Sequence, residues 1–173
     1  ATATDDDDDD DDDNAATATT AVKPSQCTYN IALKACQNGG RPDWARTLVI
    51  RMRKIAARSG DPNMYPDAVS YTTLANAEAA AARGYTGAEY AGGVEAVETM
   101  WAEVRGPLGP PPDPQCYCAI IDAFVAYGAL GHALAALKTA EEEPGVELTA
   151  RVYLVVMRAQ AAVGDVRGVE VLA

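Results

Sequence analysis

Thr28-Tyr29-Asn30-Ile31-Ala32-Leu33-Lys34-Ala35 decides how this chain reads, because the chain restates it three times. Ser70-Tyr71-Thr72-Thr73-Leu74-Ala75-Asn76-Ala77 is a second version and Cys116-Tyr117-Cys118-Ala119-Ile120-Ile121-Asp122-Ala123 a third. Val152-Tyr153-Leu154-Val155-Val156-Met157-Arg158-Ala159 is a looser fourth. The tyrosines stand 42, 46 and 36 residues apart, and each is followed six residues later by an alanine. A period of roughly 30 to 50 residues is the mark of a solenoid, whose units bury their apolar faces only against one another.

Around each version the chain spells out a helical hairpin. The first helix reads from about Cys27 to Gln37 and ends at Asn38-Gly39-Gly40, where glycine enters the left-handed region without steric cost. Arg41-Pro42-Asp43 starts the second helix, with proline early, where its missing N–H is harmless. Trp44, Ala45, Leu48, Val49, Met52 and Ile55 then form an apolar stripe of helical period, broken at Ser59-Gly60-Asp61-Pro62-Asn63. The second unit reads as a helix from about Val69 to Arg83, an insert at Gly84-Tyr85-Thr86-Gly87, and a helix starting between Ala88 and Val94 and ending at Val104. A proline-rich linker reaches Asp113. The third unit starts at Pro114, turns at Gly128 and runs to about Glu143, and the fourth starts near Ala150 and turns at Gly164-Asp165. Glycine lies eleven residues after the tyrosine in units one, three and four (Gly40, Gly128, Gly164), and is displaced to Gly84 in unit two. Sixteen after it stand Ala45, Ala133 and Val169, small or branched residues that suit close helix approach. The tyrosines and their following alanines are expected in the core.

Composition agrees with an all-α chain: apolar residues make up 49% and aromatics only 6%, and alanine, the best helix former, is abundant. The 173 residues suffice for one domain that buries roughly 70% of its unfolded surface. The formal charge of −11 is dominated by nine consecutive aspartates, residues 5–13, leaving about −2 elsewhere. Such a run repels itself and buries nothing, so residues 1–24 are expected to be a disordered, solubilising tail. No apolar run reaches the length of a membrane span; even 119–137 is interrupted by Asp122, Gly128, Gly131 and His132. The chain begins without Met and stops inside a helical pattern, which reads as an excerpt of a longer protein.

Four cysteines, Cys27, Cys36, Cys116 and Cys118, accompany one histidine, His132, and Cys116 and Cys118 diverge by about 160° on a helix. Free thiols in a reducing compartment are expected, with no metal and no cofactor. One histidine on a second helix supports no Cys-His or Ser-His-Asp arrangement, so no enzyme activity is expected.

The string Thr28-Tyr29-Asn30, Ala35, Gly40-Arg41, Ala45, Met52 and Pro66-Asp67 resembles the pentatricopeptide repeat, a 35-residue helical hairpin that ends in Pro-Asp before the next Thr/Ser-Tyr. Ser70-Tyr71, Met100 and Pro112-Asp113 fit the same frame, and Cys116-Tyr117, Gly128 and Ala133 fit it in part. The resemblance covers residues 26–173, as units 26–67, 68–113, 114–149 and a truncated 150–173. Departures are the longer first and second units and Glu147-Leu148-Thr149 in place of Pro-Asp. It implies an α-solenoid that binds single-stranded RNA, an mRNA by expectation, one base per unit, in organelle RNA stabilisation, processing or translation in chloroplast or mitochondrion. In the family's frame the residue after the tyrosine selects the base together with the unit's last residue. That assigns Asn30 with Asp67, a pair the family uses for uracil, Thr72 with Asp113, a combination associated with guanine, and Cys118 with Thr149, which implies no clear base. Leu154 selects nothing. Two residues before each tyrosine the family places an apolar wall between bases; here stand Cys27, Val69, Gln115 and Arg151, of which only Val69 is the usual type and Arg151 suits stacking or a phosphate contact.

Plainer readings stand beside these. Asn30 suits a local hydrogen bond, and Asp67 and Asp113 suit N-caps of the helices that follow, a role compatible with base reading. The basic cluster Arg41, Arg46, Arg51, Arg53, Lys54 and Arg58 falls mostly on the outer helix of unit one, and reads as a solvated face or a contact to a protein partner rather than an RNA track. The alternative function is therefore a protein–protein scaffold solenoid, in an organellar ribosome or another assembly.

Overall fold

The computed structural model describes residues 23–84, 93–111 and 113–164. Most of the expected tail, residues 1–22, lies outside them, as do the insert from Tyr85, the possible helix start at Ala88, Pro112 of the second Pro-Asp, and the fourth unit from Asp165 on, Val169 included. Among the described residues there are helices and no strands. They are α1 (Gln26–Asn38), α2 (Pro42–Ser59), α3 (Ala68–Gly84), α4 (Gly93–Val104), α5 (Pro114–Ala126), α6 (Leu130–Glu142) and α7 (Ala150–Ala162), with a 3-10 turn (Pro62–Met64) after α2.

Local chemistry sets the ends. Ser25 caps α1 in a capping box with Thr28, each side chain reaching the other's backbone N–H at 3.3 Å. Asp67 Oδ1 accepts the Ser70 N–H at 2.8 Å at the start of α3, and Asp113 Oδ1 accepts the Cys116 N–H at 2.7 Å at the start of α5. The cap reading of both aspartates therefore holds. The hairpin turns are built alike: Gly40 and Gly128 have φ of 63° and 73°, and the next N–H (Arg41, Ala129) returns to the carbonyl five residues earlier (Cys36, Phe124) at 2.9 Å. Gly164 has φ of 78°. Gly84, by contrast, is the last residue of α3, and the rest of the expected turn lies outside the described residues.

The odd-numbered helices pack in chain order, α1 on α3, α3 on α5 and α5 on α7. Each even-numbered helix packs between the odd-numbered helix before it and the one after. The result is an all-helical, repeat-like fold whose packing runs between neighbours in sequence. Tyr29, Tyr71 and Tyr117 are buried and Tyr153 half-buried. Ala45 and Ala133, sixteen after a tyrosine, are fully buried, as expected for helices in close approach.

Two core expectations fail for identifiable reasons. Ala77 and Ala123 are buried, but Ala159 is only half-buried and Ala35 is exposed. For Ala35, the position one turn earlier tells why: Ile31 is 67% exposed, whereas its counterparts Thr73 and Ala119 are 8% and 5% exposed. In α3 and α5 that side is covered by the preceding odd-numbered helix; α1 has none among the described residues. Trp44, placed in the buried stripe of α2, is 60% exposed. It sits one residue, or about 100° of turn, from the buried Ala45, and the Arg41 guanidinium lies over its ring at 4.9 Å instead.

Ion pairs tie the helices across sequence. The buried Glu78 of α3 receives Arg46 of α2 through two bonds of 2.5 and 2.7 Å, and the Tyr127 hydroxyl from the end of α5 at 2.8 Å. Arg53 pairs with Glu103, Arg83 with Asp122, and His132 with Glu98 at 2.6 Å. Trp101 packs edge-on to Tyr117, ring centroids 5.5 Å apart. Among the described residues no helix is long and apolar enough to cross a membrane.

Candidate nucleic-acid interface

Three junctions between successive odd-numbered helices hold the expected pairs. At the first, Asn30 of α1 donates from Nδ2 to both carboxylate oxygens of Asp67, 3.3 Å each. The Ser70 hydroxyl, on α3 and fully buried, lies 2.6 Å from Asn30 Oδ1 and 2.8 Å from Asp67 Oδ1. It also accepts the Asp67 N–H at 3.2 Å. Asn30 thus bonds Asp67, and Asp67 caps α3 at the same time.

At the second junction the expected partners do not bond. Asp113 is committed to capping α5, and the Thr72 hydroxyl lies near the Cys116 thiol. Cys116 stands where Ser70 does, one residue before the tyrosine. Burial pushes its thiol up to about 12, opposed by the Thr72 hydroxyl and reinforced by the Asp113 charge. With the thiol fully buried and its neutral form favoured, alkylation by iodoacetamide is expected at exposed Cys27 and not at Cys116 in the folded chain. Mass mapping after a short pulse checks this; equal labelling of both would mean that α5 opens readily. At the third junction Cys118 Sγ lies 3.8 Å from Thr149 Oγ1, and Thr149 makes no side-chain capping bond to α7.

A groove of about 320 Å³ runs over α3, α5 and the start of α7. Thr72, Gln115, Cys118, Thr149 and Arg151 line it, half of the ten expected site residues, together with Asn76 and Asp122. Asn30 and Asp67 sit outside this groove, at the first junction. The four wall positions, Cys27, Val69, Gln115 and Arg151, are all exposed, each in the first turn of its helix. Sequence reading missed Ser70, Asn76 and Asp122. Ser70 had a signal, since Thr28, Ser70, Cys116 and Val152 recur directly before the tyrosines.

Positive charge at the groove is modest. Arg151 borders it, and Arg83 is paired with Asp122. The basic cluster of unit one is partly spent within the chain: Arg41 bonds Asp43 at 2.9 Å, while Arg46 and Arg53 hold Glu78 and Glu103. Arg51, Lys54 and Arg58 are exposed and make no ion pair among the described residues. Among the described residues no three His, Cys, Asp or Glu side chains gather where a metal ion would sit.

Compared with known proteins, the chain matches no family model and no curated protein.

Proposed function

We propose that the chain is an RNA-binding α-solenoid of pentatricopeptide type, a binder rather than a catalyst, that takes single-stranded RNA along its odd-numbered helices. The setting proposed is organelle RNA stabilisation, processing or translation, in chloroplast or mitochondrion. The observation that carries it is the junction geometry. Asn30 and Cys118, each directly after a tyrosine, contact Asp67 and Thr149, the residue that starts the next odd-numbered helix. Thr72 and Cys118 share one groove with three further expected residues. An Asn carboxamide held by a carboxylate keeps a donor and an acceptor for a base edge, and Arg151 offers a guanidinium to a phosphate or a stacked base. Few units and little free positive charge mean that binding by these residues alone is weak and salt-dependent.

A second reading, a scaffold that docks protein, draws on a different surface. A groove of about 290 Å³ between α2 and α4 is floored by Val49, Leu74, Ala96 and Met100 and rimmed by exposed Ile50. The test that separates the two is a mobility shift with a U- and G-containing oligonucleotide over a salt series, comparing the chain with its Asn30→Ala/Asp67→Ala form. The double substitution is expected to weaken binding about tenfold or more, the ~1–3 kcal/mol of one well-read base. Equal binding by both forms would remove base reading and leave the scaffold.

A further inference from the structure

The first junction contains one more group than a two-residue reading pair needs, and that group makes its shortest bond. The Nδ2 bonds from Asn30 to Asp67 are long, 3.3 Å, and shared evenly between two oxygens. Such a bifurcated contact leaves the carboxamide free to rock about its last torsion. The 2.6 Å contact from the Ser70 hydroxyl to Asn30 Oδ1 is the tight one. Ser70 is also the best-anchored member of the group. Its side chain is fully buried, its N–H bonds Asp67 Oδ1 at 2.8 Å, and its hydroxyl oxygen accepts the Asp67 N–H at 3.2 Å. The hydroxyl has one proton for two acceptors, Asn30 Oδ1 at 2.6 Å and Asp67 Oδ1 at 2.8 Å; the shorter contact places it on Asn30, while Asp67 Oδ1 also takes the Ser70 N–H and Asn30 Nδ2. A carboxylate only accepts, so Nδ2 must face Asp67 and Oδ1 must face Ser70; the flipped amide would set oxygen against carboxylate. What remains for a ligand is the second Nδ2 hydrogen and the second lone pair of Oδ1.

We propose that Ser70 is a positioning residue of the first junction, whose hydroxyl fixes the direction in which the Asn30 carboxamide offers its donor and acceptor to a base. This rests on the RNA reading above. The same position holds Cys116 at the second junction and Val152 at the third, so the hold weakens along the chain from hydroxyl to thiol to a side chain with no polar atom. Selectivity is therefore concentrated at the first junction.

The test has two readouts on the whole chain. In binding of oligonucleotides that differ only in uridine or cytidine at one position, Ser70→Ala is expected to lower the discrimination between them about fivefold, and Ser70→Thr, which keeps the hydroxyl, to restore it. Unchanged discrimination in Ser70→Ala overturns the proposal. In the free protein, the Asn30 side-chain amide protons are expected to be protected and well separated in the NMR spectrum, and in Ser70→Ala to move toward the values of a solvated amide. An unmoved amide pair overturns the positioning role. Thermal melting of each variant shows whether it is folded, and a destabilised Ser70→Ala is read below its transition. Should the unaltered chain bind no oligonucleotide at any salt, the RNA reading fails and the selectivity claim with it; the amide resonances then decide alone whether Ser70 holds Asn30.

Discussion

Arg46→Met is expected to destabilise the chain by about 3 kcal/mol, lowering the melting temperature by roughly 10 °C for a chain of this size. Glu78 is 1% exposed and takes two guanidinium bonds from Arg46 and one from the Tyr127 hydroxyl. Removing the guanidinium leaves a buried carboxylate facing a phenol. Breaking one partner of a buried pair costs ~3–5 kcal/mol, and the lower end applies because the Arg46 side chain is itself 31% exposed, so water reaches the gap. Methionine keeps the aliphatic stem, which separates lost charge from lost packing. The Arg46→Met/Glu78→Met double variant should recover most of the loss, since replacing both members of such a pair by apolar groups is close to neutral. Denaturation followed by helical circular dichroism measures both. A double variant as unstable as the single one would show that packing at Arg46, and not the stranded carboxylate, sets the cost.

Phe124→Ala should cost about as much by a different route. Phe124 is among the largest fully buried side chains and lies at the end of α5, stacked on His132 of α6 at 5.4 Å with a 22° angle between rings. Truncation removes most of an aromatic ring from a close-packed site and leaves a cavity, for ~3–5 kcal/mol. Phe124→Leu should lose less than half of that, because it refills much of the volume. Near-equal losses would point to the ring stack with His132 rather than to volume.

Glu78 and Phe124 occupy the same place, seven residues after a tyrosine, and their two chemistries mark the limit of sequence reading here. Cys36 and Gln160 fill that place in the first and fourth versions. Cys36 is half-buried, Glu78 is held by two neighbours, Phe124 is stacked, and Gln160 is buried with its Oε1 unpartnered among the described residues. Periodicity announces that the place faces inward. It does not say which distant residue answers it, because Arg46 and Tyr127 lie 32 and 49 residues from Glu78. What could be read locally was read well. The turns at Gly40 and Gly128 and the aspartate caps follow from spacing and from the needs of helix ends, whereas the pairing of Asn30 with Asp67 came only from the resemblance. The rest depended on tertiary context. Ala35 is exposed because α1 has no preceding odd-numbered helix among the described residues, and Trp44 because it stands about a 100° step around α2 from the buried Ala45.

Because Glu78 is bonded by Arg46 of α2 and by Tyr127 at the end of α5, α3 is clamped from two directions at one buried point. A helix tied in this way from two directions is expected to open later than one tied from a single neighbour. A solvent-exchange profile would show this as backbone amides around Glu78 that exchange among the slowest of the described helices.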